Sequence, residues 1–121
     1  MPPIRVLVVD DHALVRAGFH SILSGEADIE FVGEATNGEE AVALAVREIP
    51  DVVLMDIRMP GRDGISVLQE IGPPPPPVVM MTAYAVEEQL RAAVEAQSFA
   101  VVHKPVPATY LIDLVGRAAA A

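Results

Sequence analysis

The sequence contains no cysteine, which excludes a disulfide framework, a CxxC zinc site and thiol catalysis. No apolar run reaches the roughly 18 residues that a membrane span needs. The start Met1-Pro2-Pro3-Ile4-Arg5 does not resemble a signal peptide, so no membrane association and a cytoplasmic location are expected. Basic side chains are scarce, with Lys+Arg 8 against Asp+Glu 17 and a formal net charge of −9. Such a chain lacks the basic stripe that a phosphate backbone requires, so no direct nucleic-acid binding is expected. Lysine is scarcer still: seven of the eight basic residues are arginines, and Lys104 is the exception. What is present suits one globular domain spanning residues 1–121, with 52% hydrophobic and 21% charged residues.

Five apolar, β-branched-rich runs punctuate the chain: Ile4–Val9, Ile29–Val32, Val52–Met55, Val78–Met81 and Phe99–Val102. Most are continuous rather than alternating, as expected of strands covered on both faces. Helical patterns lie between them. Leu14, Gly18 and Ile22 recur at i+4 in the first, with Val15 and Phe19 alongside. Ala41, Leu44, Ala45 and Ile49 mark the second, and Asp63–Ile71 forms a short third. Leu90, Ala93, Val94 and Gln97 mark the fourth, and Leu111, Leu114 and Val115 the last. Asn37 and Asp63 suit N-cap positions, and Glu40 follows Asn37 at capping-box spacing. This alternation predicts an α/β protein, a (βα)5 three-layer sandwich of parallel strands joined by right-handed crossovers. Pro73–Pro77 reads as a stiff polyproline II connector, since proline cannot donate to a helix or sheet ladder. The tail Arg117–Ala121 reads as a helix end at which a longer chain could have been cut.

Open α/β sheets bind ligands beyond the carboxyl ends of their strands. Strand one ends in Asp10-Asp11, strand three in Asp56, strand four in Thr82 and strand five in His103-Lys104-Pro105. Strand two ends in Gly33-Glu34-Ala35-Thr36, which adds little to such a site. Taken singly, Asp10 or Asp11 would serve as a helix N-cap, Thr82 as a strand residue and Lys104 as a solvated cation. Their conjunction at one edge carries the signal. Asp56 also follows a buried strand, where an unpaired carboxylate is costly. Three carboxylates within about 4–6 Å repel one another by roughly 1–4 kcal/mol per pair, so they require a cation. An all-oxygen donor set specifies a hard ion, best Mg2+ held by carboxylates, a backbone carbonyl and waters. Lys104 would neutralise part of the remainder. His103 should point away by strand alternation, and His12 reads as an early helix residue rather than a ligand. A site of this kind suits phosphoryl transfer onto Asp56 as nucleophile, with the cation and Lys104 stabilising the oxygens in transit.

Val8-Val9-Asp10-Asp11-His12, the stretch Asp51–Gly64 with its DxxMPxxDG block, Met81-Thr82-Ala83 and Lys104-Pro105 closely resemble the receiver (CheY-like) domains of two-component response regulators. The resemblance covers essentially the whole chain. The Asp-Asp-His-Ala-Leu-Val-Arg and Val32-Gly33-Glu34-Ala35 segments look most like receivers joined to LuxR/NarL-type DNA-binding domains. It implies a flavodoxin-like sheet of order 2-1-3-4-5 and phosphorelay signalling, with transcription regulation as a typical output. It also implies that Asp56 is the phosphoacceptor for a sensor histidine kinase or histidine phosphotransfer protein. Asp11 and Asp56 would then ligate Mg2+ directly with the Arg58 backbone carbonyl, and Asp10 through water. Thr82 would be the switch hydroxyl, Lys104 its cationic partner, and the Lys104–Pro105 bond cis. Phosphorylation would bias the surface of the fourth helix, fifth strand and last helix, about Ala85–Arg117, and family members often dimerise on phosphorylation.

The sequence departs from the family at Val101, where a switch aromatic usually stands three residues before the lysine. Phe99 faces the same side by alternation. The third helix is also shorter than usual, with the prolines filling the gap. Arg58 and Tyr84 flank the phosphoryl group in the family, and their bulk here predicts slow autodephosphorylation. The alternative is a degenerate receiver acting through phosphorylation-independent protein contact. An aspartate-nucleophile phosphatase of the haloacid dehalogenase type wants DxD after strand one, a spacing that Asp10-Asp11-His12 lacks.

Overall fold

The computed structural model describes residues 2–57, 59, 64–71, 76–83, 92 and 98–121. Its elements run β1 (Ile4–Val9), α1 (Ala13–Ser24), β2 (Ile29–Ala35), α2 (Gly38–Glu48), β3 (Val52–Asp56), α3 (Gly64–Glu70), β4 (Val78–Thr82), β5 (Ala100–His103) and a last helix, α4 (Ala108–Ala120). The strands form one parallel sheet of order β2-β1-β3-β4-β5, the flavodoxin-like topology expected. Apart from Ala92, which is helical, the helix predicted around Leu90–Gln97 lies outside the described residues, as do the Asp63 cap, Arg58, Tyr84 and Pro73–Pro75.

β3 and β4 are buried along their whole length, as their continuous apolar runs require. Alternation sends successive side chains to opposite faces. Leu7, Val9, Val53 and Met55 join Val67 and Leu68 in one apolar layer. Val6, Val8 and Leu54 join Phe19, Leu23, Leu111 and Val115 in the other. Helices α2 and α3 thus cover one face of the sheet, and α1 and α4 cover the other. Full burial of side chains such as Leu7 and Leu54 contributes about 1.5–3 kcal/mol each.

The structure shifts several expected details. The stripe that α1 buries is Phe19 and Leu23, with Val15 and Ile22 packed beside them. Leu14 is 88% exposed, so the Leu14–Gly18–Ile22 series is not the core face. Both series satisfy the helical period, and periodicity cannot choose between neighbouring stripes. β2 runs to Ala35 rather than Val32, because its pairing with β1 slips between Val6 and Leu7 and leaves Val32 as the extra residue of a bulge. At α2, Asn37 accepts from the Glu40 amide at 2.9 Å as a cap should. The Glu40 carboxylate reaches back one residue further than in a capping box, to the Thr36 amide at 2.7 Å and to the Thr36 hydroxyl.

The C-terminus of α2 closes on Ile49 in the left-handed region (φ 48). A β-branched side chain is unusual there, and Pro50 behind it prevents the helix from continuing. Arg5 of β1 donates to the Glu48 and Ile49 carbonyls, placing a cation where the helix dipole favours one.

Candidate functional site

In the strand order, the connections leaving β1 (to β2) and β3 (to β4) run to opposite sides, which opens a crevice between the carboxyl ends of β1 and β3. The site is built on those strand ends. The Asp10 amide donates to the Ala35 carbonyl at 3.0 Å, the Ile57 amide to Met81 at 2.9 Å and the Lys104 amide to Thr82 at 2.7 Å. Each functional residue therefore either belongs to a backbone ladder or sits one step beyond it. The Lys104–Pro105 bond is cis.

Asp10 is fully buried, and Asp56 and Thr82 are nearly so. The Lys104 ammonium donates to Asp10 Oδ2 at 2.7 Å and lies 3.3 Å from Asp56 Oδ2, bridging the ends of β1 and β3. Burial alone would lower the Lys104 pKa, but the hydrogen bond to Asp10 and the charges of Asp56 and Asp10 outweigh it, and the net shift is upward. The structure thus brings Asp10, Asp11, Asp56 and Lys104 together, with Thr82 ending the adjacent strand. His103 is exposed and is not among the cluster residues, as alternation predicted.

His12 departs from its expected place inside the helix. It is the extended N-cap residue of α1 (φ −96, ψ 115), and its amide donates to Asp10 Oδ1 at 2.9 Å. Its Nδ1 stands 3.2 Å from Asp10 Oδ1 and 3.0 Å from Asp11 Oδ1. Ligand atoms of Asp10, Asp11, His12 and Asp56 all fall within 4.8 Å of one another. Asp11 Oδ1 is buried and accepts no hydrogen bond among the described residues.

These observations fit a hard divalent cation. Ionised, the cluster's three carboxylates face one ammonium, leaving two net negative charges that a single Mg2+ would balance. The buried, unbonded oxygen of Asp11 is the kind of atom a metal satisfies. Arg58, expected to add its carbonyl, lies outside the described residues.

Sequence reasoning missed Arg16, Glu34 and the packing of Gly64. Arg16 donates from Nη1 to the Asp10 carbonyl at 2.7 Å and from Nε to Glu34 Oε1 at 2.8 Å. The available signal was its position: a cation early in a helix opposes the dipole and so needs a partner. Gly64 donates its amide to the Ile57 carbonyl at 2.7 Å. A Cβ there would lie 2.4 Å from the Asp56 carbonyl oxygen, so the glycine of the DxxMPxxDG block is fixed by close approach to the strand end carrying Asp56.

A doubly wound parallel sheet with an acidic, lysine-bridged cluster at its carboxyl edge defines the class of open α/β domains that carry their site at the strand ends. Within that class, the response regulator receiver domain profile matches residues 6–116, and the chain belongs to this family. The transcriptional regulatory protein LiaR of Bacillus subtilis is 38% identical over 114 residues, covering 93% of this chain and 54% of LiaR. The chain therefore spans about half the length of the curated relatives it matches. The receiver domain of the NarL response regulator from Mycobacterium tuberculosis superposes with a TM-score of 0.93 at 31% identity, covering 99% of this chain and 98% of that one. A chain of the CheX–CheY–BeF3–Mg2+ complex of Borrelia burgdorferi superposes with a TM-score of 0.87 at 27% identity, covering 96% and 89%. Membership places the chain among the receiver domains of two-component signalling. No helix among the described residues is long and apolar enough to cross a membrane.

Proposed function

We propose that this chain is a phosphoacceptor receiver in which Asp56 takes a phosphoryl group from a sensor histidine kinase or histidine phosphotransfer protein in a Mg2+-dependent step. The observation that carries this reading is the Lys104 ammonium seated between Asp10 (2.7 Å) and Asp56 (3.3 Å) at the buried lip of the sheet. A carboxylate oxygen of Asp56 attacks the phosphorus, the P–N bond of the donor phosphohistidine breaks, and its electron pair stays on the imidazole nitrogen. Asp11, Asp56 and the Arg58 carbonyl would hold Mg2+ directly and Asp10 through water, and the ion would supply positive charge to the phosphoryl oxygens in transit.

The product carries about two negative charges and three acceptor oxygens beside waiting donors. Lys104 and the Thr82 hydroxyl bond to it more strongly than to a free carboxylate, and that difference biases the surface from about Ala85 to Arg117. The backbone bond from Lys104 to Thr82 ties the ends of β4 and β5, so a shift at either reaches both. That surface would control an output domain or partner in the cytoplasm, or support a phosphorylation-dependent homodimer. The bulk of Arg58 and Tyr84 would keep hydrolytic water away and prolong the adduct.

Intact mass after incubation with phosphoramidate and MgCl2 tests the reading. A single phosphoryl adduct is expected on the wild type and none on Asp56→Asn. An unmodified wild type would sink the proposal in favour of a phosphorylation-independent interaction module. Steady turnover of phosphoesters would instead favour a phosphatase.

A further inference from the structure

Arg16 holds the acidic turn from behind. Its side chain is 12% exposed, and its two bonds reach Asp10 of β1 and Glu34 near the end of β2. Asp10 thereby has every polar group engaged: its amide by Ala35, its carbonyl by Arg16, and its two carboxylate oxygens by the His12 amide and the Lys104 ammonium. Asp11, the next residue, instead keeps a buried oxygen without a hydrogen bond. The aim of that oxygen depends on the backbone of the turn, which Arg16 grips at the Asp10 carbonyl. A planar guanidinium can serve two partners at once from one fixed orientation, which an ammonium cannot reproduce.

We propose that Arg16, oriented by Glu34, is a positioning residue that sets the Mg2+ affinity of the site by holding the Asp10–Asp11 turn. The proposal rests on the phosphoacceptor reading above. It reflects a general property of metal sites, in which groups bonded to the ligands rather than to the ion change affinity by about 10–100-fold.

The test is calorimetric titration of the whole chain with MgCl2, comparing wild type, Arg16→Met, Arg16→Lys and Glu34→Gln, with circular dichroism to establish folding. Arg16→Met should weaken Mg2+ binding about tenfold. Arg16→Lys should recover part of that loss, and Glu34→Gln, which leaves the bond to Asp10 but removes the charge that orients the guanidinium, should show a smaller weakening. The second readout is the rate of Asp56 labelling by phosphoramidate. In Arg16→Met, the half-saturating Mg2+ should rise in step with the dissociation constant while the rate at saturating Mg2+ returns to about the wild-type value. Wild-type Mg2+ affinity in Arg16→Met, or a rate that stays depressed at saturation, would overturn the assignment. If Arg16→Met does not fold, unchanged affinity in Glu34→Gln overturns it. Failure of the underlying reading looks different: the wild type itself would then give neither a Mg2+ isotherm nor an adduct.

Discussion

Replacing Gly64 with alanine should damage stability and chemistry together, and the structure supplies the magnitude. The new Cβ would stand 2.4 Å from the Asp56 carbonyl oxygen, 2.8 Å from Met80 Cε and 3.1 Å from Ile57 Cα. Met80 is flexible at its tip and can yield. The Asp56 carbonyl and the Ile57 Cα are backbone, and the 2.7 Å bond from Gly64 to Ile57 pins the approach. Restoring ordinary contact distance to the carbonyl needs a displacement of about 1 Å. Overpacking of this kind costs about 1–3 kcal/mol, which outweighs the gain of up to about 1 kcal/mol from alanine's helix propensity. In a domain of this size the midpoint should fall by about 4–12 °C. Because the strained atom belongs to Asp56, misplacing the nucleophile should also slow labelling by about a hundredfold. Gly116 in α4 is the control, since a Cβ there meets nothing within 4 Å, and Gly116→Ala should be neutral or stabilising. Urea unfolding and mass-monitored phosphoramidate labelling at saturating Mg2+ measure both quantities. A Gly64→Ala protein with wild-type stability and a labelling rate within about threefold of wild type would refute the close-approach argument.

Four further outcomes follow from the geometry. Leu23→Ala, at a fully buried position, should lose about 2–5 kcal/mol, whereas Leu14→Ser should change stability by less than about 0.5 kcal/mol; equal losses in urea melts would restore the rejected stripe. The raised pKa of Lys104 means that its stabilisation is present below about pH 10.5 and is lost as pH rises through the folded-state value. Metal-free wild type should therefore lose stability above pH 10.5 more steeply than Lys104→Met, and parallel pH profiles would contradict this. Glu40 titrates below its usual 4.5, chiefly through the Thr36 hydroxyl and amide hydrogen bonds, so its contribution holds above pH 4.5 and fades as pH falls through the lowered value. Protection factors (exchange corrected for its intrinsic pH dependence) at the start of α2 should fall in wild type as pH drops below 4.5 and through the lowered Glu40 value, but stay constant there in Glu40→Gln. Asp11→Asn should stabilise the metal-free chain by about 1 kcal/mol or more by relieving like-charge repulsion, with the gain vanishing on addition of Mg2+ if Asp11 is a ligand.

Where the sequence could be read and where it could not has a physical pattern. The bounds of β1 were legible because the run Ile4–Val9 coincides with the strand itself. β3 and β4 each extend one residue past the apolar run, to Asp56 and Thr82. There the ladder continues after hydrophobicity has stopped, and those are the residues expected to do chemistry. Lys104 stood out because it has no other lysine to hide among. Arg16 was lost among seven arginines, although its place early in α1 was informative. β2 was read short because a bulge at Val32 breaks its pattern on an edge strand. The position of His12 depends on an extended backbone at the helix entry, which no periodicity encodes.

The same strand ends explain why the cluster persists despite its mutual repulsion. Backbone ladders to Ala35, Met81 and Thr82 fix the segments that carry the charges, and buried strands beneath them supply stabilisation that exceeds the repulsion. The acids therefore cannot relax apart, as they would on a loop, when no cation is bound. Within this frame both carboxylate oxygens of Asp10 accept protein hydrogen bonds, while Asp11 Oδ1, with His12 Nδ1 3.0 Å away, accepts none among the described residues. Adjacent residues of the same type are thus given different tasks by their hydrogen bonds alone. Asp10 anchors the turn and holds Lys104, and Asp11 is left with an oxygen whose natural partner is a cation from solution. That division favours rigidity at the anchor and affinity at its neighbour, and it makes the metal-free state the one in which the fold bears the electrostatic strain.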